Sequence, residues 1–188
     1  MRYKSDNKNN VSEKGITERK RGFAMSEESK EKRKMEFESV KKYLQKGAKT
    51  SSEVDELPAR FLEPLIMNSL TIDHIEHGRV VCSMKIPSRL LNSGNTLHGG
   101  ATASLVDVVG SAAICSVGHS PLSTGVSVEI NVTYLDAAYV DEEIEIEARA
   151  LRVGKAVAVI SVEFRKKKTG KIFAQGRHTK YLALTSKL

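Results

Sequence analysis

The chain has 188 residues, 40% of them hydrophobic and 28% charged, which is the size and balance of one globular domain able to bury its own core. Its net charge of +7 is confined to the start: residues 1–50 hold 15 Lys and Arg against 8 Asp and Glu, while the rest of the chain holds 15 of each, which argues against a nucleic-acid-binding body. No charge-free apolar run reaches the length of about eighteen residues that a membrane-spanning helix needs, and two cysteines, Cys82 and Cys115, cannot build a disulfide framework and read as reduced thiols in apolar surroundings.

Residues 1–35 are rich in Lys, Glu, Asn and Ser and lack apolar periodicity, so they are expected to form a disordered basic extension. They contain no apolar stretch of the kind a secretory signal needs. Mixed charge signs and scarce aromatics favour a solvated arm over one that grips nucleic acid or a membrane surface. The folded domain is expected over residues 36–188. It opens with a short helix over 36–45, apolar at Phe37, Val40 and Leu44, with Gly47 as its stop signal. A polar linker follows over 47–56, then a second short helix over 58–68 with Phe61, Leu62, Leu65 and Ile66 turned inward.

Beyond that point the periodicity changes. Residues 80–86 partly alternate and read as a strand, one of one or two expected early in the domain. Residues 97–117 are apolar on almost every side, interrupted only by His98 and Asp107, and read as a buried helix. Residues 124–135 then alternate, with Val126, Val128, Ile130, Val132 and Tyr134 on one face and Ser127, Glu129, Asn131 and Thr133 on the other. Residues 143–153, 157–165 and 172–184 complete a run of four antiparallel strands, with hairpin turns at Gly154-Lys155 and Thr169-Gly170-Lys171. The class is α+β, and the layout predicts a curved antiparallel sheet wrapped around one long central helix.

The chemistry lies between Leu91 and Asp107. A polar loop over 92–96 enters the apolar helix through His98-Gly99-Gly100. A helix start offers unpaired N–H groups and a positive dipole end, and glycines admit close approach of an oxygen, so the arrangement suits a developing oxyanion. Asp107 sits inside the apolar helix, where a carboxylate is costly unless paired or solvated. It reads either as a structural group or as a base whose environment raises its pKa. Gly99 and Asp107 are eight residues apart, about 12 Å along a helix axis, too far for one small acyl group to touch both. Two chains with antiparallel helices would bring them together, so a homodimer with two composite sites is expected. By residue type alone, Ser127 is an ordinary strand residue and Asn92 an ordinary turn residue. There is no Gly-x-Ser-x-Gly elbow, which argues against an α/β-hydrolase. The five histidines are scattered, and His74 and His77 lack a third partner for a metal.

Leu97-His98-Gly99-Gly100, Asp107 nine residues after His98, the segment Gly125 to Leu135, and Gly176-Arg177-His178-Thr179-Lys180 together resemble the hotdog-fold thioesterases. Within them they resemble the PaaI-like group that contains acyl-coenzyme A thioesterase 13, and its plant members in particular. The resemblance spans about residues 36–188 and implies an acyl-coenzyme A hydrolase that releases a free fatty acid of medium to long chain. It implies a Gly99 N–H that polarises the thioester carbonyl, His98 holding that carbonyl, Asn92 at the reacting centre, Asp107 of the partner chain as base or nucleophile, and Ser127 orienting the water. It places coenzyme A around Tyr134, Tyr139, Arg152, Val153, Gly154, Lys155 and Tyr181, with no separate cofactor and no metal, and implies dimers that pair into tetramers. Phosphate-binding candidates by charge are Arg152, Lys155, the run Arg165 to Lys168, Lys171, Arg177 and Lys180. The stretch around His119-Ser120-Pro121 is longer than in the animal relatives. Other readings are a specialised or aromatic acyl-coenzyme A substrate and a silent acyl-coenzyme A sensor. Ser186-Lys187-Leu188 match the address read by the peroxisomal import receptor, so a peroxisomal location is expected, with the cytoplasm as the alternative.

Overall fold

The computed structural model describes residues 26–48, 60–118 and 125–182. Expectations for residues 1–25, for most of the 47–56 linker, for His119-Ser120-Pro121 and for Ser186-Lys187-Leu188 lie outside these. The chain divides into two units, Met1–Leu57 and Pro58–Leu188. In the first, helix α1 spans Glu27–Ala48, nine residues longer at its start than the apolar spacing alone indicated. Ser26 Oγ accepts from the Ser29 N–H at 3.3 Å, and Glu27 and Glu28 occupy the first turn, where the helix dipole favours negative charge.

The second unit starts with a short helix α2, Leu62–Met67, and an antiparallel pair, β1 (Leu70–Glu76) and β2 (Arg79–Lys85). Helix α3 spans Gly99–Cys115. Strands β3 (Val126–Tyr134), β4 (Glu143–Val153), β5 (Val157–Lys166) and β6 (Ile172–Tyr181) follow. All six strands form one antiparallel sheet in the order β1-β2-β4-β5-β6-β3. One side of α3 is buried at Ala101, Thr102, Leu105, Val106, Val109, Gly110, Ala113 and Ile114, the paired spacing of a helix lying on a layer. It packs on Val80, Cys82 and Met84 of β2, Ile144 and Ile146 of β4, and Ile160, Val162 and Phe164 of β5.

This α+β arrangement is hotdog-like, but the expected sheet wrapped round a long central helix is not what forms. The sheet is open, with β1 and β3 as its two edges. Helix α3 has 17 residues, against 22 for α1 in the other unit, and among the described residues it is covered on one side only. Its other side, Ala103, Ser104, Asp107, Val108, Ser111 and Ala112, is half-exposed. Those side chains are small or polar, so leaving them at a surface costs little, and their mean hydropathy hid a two-sided helix.

The outer face of the sheet is ionic. Glu147 is 8% exposed and is held by Arg79, Arg149 and Arg165, while Arg165 also meets Glu145 and Glu163. The hairpin lysines are likewise engaged: Lys166 with Asp136 and Glu142, Lys167 with Glu143, Lys171 with Asp136. Of the basic candidates for a phosphate, these are tied to carboxylates.

Helix and sheet approach closely at Gly176 of β6, where an added Cβ would lie 2.5 Å from Val106 Cγ2. Val106 is fully buried and cannot swing away. Gly176→Ala is therefore expected to destabilise the protein by about 1–3 kcal/mol, the usual cost of overpacking. Urea unfolding measures this, and an unchanged midpoint would refute the packing argument.

Candidate active site

The loop before α3 is built by Asn92. Its Oδ1 accepts from the N–H groups of Gly94 at 2.9 Å and Thr96 at 3.2 Å, and its Nδ2 donates to Thr96 Oγ1 at 2.9 Å. Asn92 therefore folds the turn with its whole amide. It lines the same cleft as Gly99, Gly100 and Tyr134, but its polar atoms are spent on the loop.

His98 caps α3. Its Nδ1 accepts from the Gly100 N–H at 2.8 Å, the task a Ser or Asp side chain usually performs. With Nδ1 accepting, the neutral ring carries its proton on Nε2. An added Cβ at Gly100 would approach Nδ1 to 3.0 Å, so the glycine makes room for this cap. The His98 N–H goes to Leu90 O and the Thr102 N–H to His98 O. None of these capping contacts uses the N–H of Gly99. Tyr134 Oη donates to Gly99 O at 2.8 Å, and an added Cβ on Gly99 would meet that same hydroxyl at 3.2 Å. The first turn is thus braced from β3, with its N–H groups directed out of the helix.

A second cluster surrounds Asp107, two turns further on. Its side chain is 45% exposed, not enclosed in apolar material as the sequence suggested. It is met by charge and hydroxyls instead: Lys180 Nζ at 3.6 Å, His178 Nε2 at 3.7 Å and Ser111 Oγ at 3.4 Å. His178 Nε2 also lies 2.9 Å from Ser127 Oγ. His178 is fully buried; burial pushes its pKa below the ordinary 6.5, with Asp107 opposing and Lys180 reinforcing the shift. The ring is therefore neutral near pH 7. Among the described residues its Nδ1 has no hydrogen-bond partner. A buried N–H without a partner is rarer than a bare lone pair, which puts the proton on Nε2, donated to Ser127. The Ser127 hydroxyl keeps its own proton for an outward donor bond.

Ser127 reaches this place through a bulge. β3 and β6 pair Ser127 with Lys180 and Ile130 with His178, and the register slips between Ser127 and Glu129. One extra residue moves Ser127 from the polar face, where strict alternation put it, to the helix-facing side. His178 and Lys180 were not among the expected catalytic residues, and Lys180 was expected at the mouth of the site as a phosphate contact. It is buried, 5% exposed, and points at Asp107. The alternation of Ala174, Gly176, His178 and Lys180 on one buried face of β6 was the signal available for both.

The residues expected around coenzyme A lie apart. Tyr134 borders both the Gly99 cleft and a cleft with Ala103, Ser104, Asp107 and Ile130. Tyr139 is exposed, with the Lys166 ammonium 5.6 Å over its ring. Arg152 and Val153 line a different cleft with His77 and Arg79. The Gly154 N–H closes the β4–β5 turn on Val157 O, beside an exposed Lys155, and Tyr181 is half-exposed at the end of β6. On the far side of Asp107 a cavity of about 660 Å³ is lined by Met67, Ile75, Val80, Val108, Ala112 and Cys115. Cys82 is buried and its thiol is pushed up to about 11 by burial; Cys115 is half-buried, and burial raises its thiol too. Among the described residues no three or more His, Cys, Asp or Glu gather to hold a metal ion.

Comparison with known proteins falls on the same region. Residues 94–173 match the Thioesterase superfamily model. Acyl-coenzyme A thioesterase 13 of Homo sapiens is 42% identical over 118 residues, 62% of this chain and 82% of the relative. The crystal structure of zebra fish thioesterase superfamily member 2 is 41% identical, with a TM-score of 0.60 over 63% of this chain and 84% of that one. The crystal structure of thioesterase superfamily member 2 from Mus musculus is 39% identical, with a TM-score of 0.61 over 66% of this chain and 90% of that one. These relatives are vertebrate and lend no support to the plant origin that the sequence resemblance suggested.

Proposed function

Because the chain belongs to the thioesterase superfamily, we propose that it hydrolyses fatty acyl-coenzyme A of medium to long chain to the free acid and coenzyme A. The observation that carries this reading is the Asp107 cluster, in which the carboxylate stands beside a neutral buried histidine that holds the Ser127 hydroxyl, with Asp107 itself at the edge of a largely apolar cavity. Asp107 takes a proton from water that Ser127 orients, and the water oxygen attacks the thioester carbonyl carbon. The carbonyl oxygen becomes an oxyanion at the Gly99 N–H, and the tetrahedral intermediate collapses by expelling the coenzyme A thiolate. Thiolate is a good leaving group, so no separate acid is needed. The cavity beside Met67, Ile75 and Val108 suits an alkyl chain.

In this reading the oxyanion donors and the base of one site come from two copies. Gly99 and Asp107 stand about 12 Å apart along α3, at separate clefts of the same chain. The half-exposed side of α3 and the open edge β3, with Val126, Val128 and Tyr134 exposed, are continuous with Asp107 and fit a second copy. Pairing of dimers into tetramers extends the same reading.

The test is free-thiol release from straight-chain and aryl acyl-coenzyme A thioesters. The straight-chain substrates are expected to turn over with the higher kcat/KM; tight binding without thiol release would mark a sensor. Mixing two inactive variants tests the composite site. Gly99→Pro deletes the donor N–H at a helix position where proline is tolerated, at the cost of displacing the Tyr134 hydroxyl that an added Cβ meets at 3.2 Å, and Asp107→Ala deletes the base. Random pairing leaves one intact site in each mixed dimer, so the mixture is expected to recover about a quarter of wild-type activity. A mixture as dead as its parents would mean that each site lies within one chain.

A further inference from the structure

We infer that Lys180 is a positioning residue that, with Ser111, divides the labour between the two oxygens of Asp107. This rests on the reading of Asp107 as the base. Lys180 Nζ donates to Ser111 Oγ at 2.8 Å and lies 3.6 Å from Asp107 Oδ1. Ser111 Oγ donates to the same Oδ1 at 3.4 Å, and His178 Nε2 stands 3.7 Å from it. Lys180, Ser111 and His178 all approach the carboxylate at Oδ1. Asp107 itself borders the cleft formed with Ala103, Ser104, Ile130 and Tyr134, and Oδ2 is the oxygen that carries none of these contacts. Oδ1 is the anchored atom and Oδ2 the one that receives the proton.

The anchor is rigid where it has to be. Lys180 is 5% exposed and His178 fully buried, and both project from β6, which is paired on each side by β3 and β5. Serine at 111 sits one helical turn after Asp107, where an i, i+4 contact falls naturally. A carboxylate on a half-exposed helix side would otherwise rotate among several rotamers and lose the alignment that a proton transfer needs. Lys180 has no share in holding coenzyme A in this arrangement, which separates it from the phosphate role that its charge suggests.

The experiment compares wild type, Lys180→Met, Lys180→Arg, Ser111→Ala and Asp107→Asn in steady-state thiol release from one acyl-coenzyme A. Lys180→Met is expected to lower kcat by roughly 10–100-fold with KM within about 2-fold of wild type. Lys180→Arg, which keeps the charge and its N–H donors, is expected to recover most of that loss. Should the methionine variant fail to fold, Ser111→Ala reads the same anchor, with kcat about 3–10-fold lower and KM unchanged. Wild-type kcat in Lys180→Met or in a folded Ser111→Ala, beside an inactive Asp107→Asn, overturns the inference and leaves the base intact. A raised KM with unchanged kcat in Lys180→Met overturns it too, in favour of a phosphate contact. Full turnover in Asp107→Asn would instead remove the reading on which the inference stands.

Discussion

Asparagine in place of Asp107 is expected to lower kcat by about 10²–10⁴-fold, the range that a positioned general base contributes, while KM for acyl-coenzyme A stays near its wild-type value. Asparagine has the same shape and can still accept from Ser111, so the fold and the cleft beside Tyr134 are kept and only the capacity to take a proton is lost. Two neighbours make the result specific. Asp107 is the group that raises the His178 pKa against its burial and against Lys180, so in Asp107→Asn that pKa is expected to fall further, which NMR of the imidazole reads directly. Intact turnover would mean that Asp107 does not act as the base, and an unmoved His178 would mean that Asp107 does not stand in the field of the cluster.

Ser127 and His178 are expected to behave as one unit. Ser127→Ala and His178→Asn should each lower kcat by about 10–100-fold, and the double variant should be little worse than either, because the second substitution removes a partner already lost. Additive losses would show that the 2.9 Å contact has no functional weight. The pH dependence follows from the direction of the histidine shift. Burial holds the folded-state pKa of His178 below the ordinary 6.5, so the ring remains neutral as pH falls through that value, and the acid limb of the rate is expected below it. The same shift makes folding stability decline as pH falls below 6.5, since the unfolded chain binds a proton that the native chain refuses. His178→Asn should flatten that decline in urea unfolding measured across the range.

The strands of the second unit were legible because their alternation is driven by burial on one face. β4 follows it closely, with Ile144, Ile146 and Ala148 inward and Glu145 and Arg149 outward. Helix α3 was legible for its length and composition, but its two-sidedness was not. Alanine, valine and serine carry too little contrast for a pattern to separate a covered side from an open one. The bulge in β3 was illegible for a related reason. Val126, Val128, Ile130 and Val132 continue as though in one register, and nothing in residue type marks where the pairing slips. That slip decides where Ser127 points, so one serine looked like a surface residue by pattern and stands beside a buried histidine in the fold. Lys180 was misread because lysine so seldom lies inside, although its place in the β6 alternation pointed there.

The open edge at β3 has a bearing on how the protein behaves outside an assay. Among the described residues its outermost strand leaves a row of backbone N–H and C=O groups without a neighbour in the sheet and exposes Val126 and Val128 along it, which is the template on which unrelated chains add by edge-to-edge pairing. No proline or lysine interrupts Val126–Tyr134 to discourage this. Substitutions that uncover this strand are therefore expected to show first as loss of soluble protein and as turbidity on warming, before any defect in turnover could be measured.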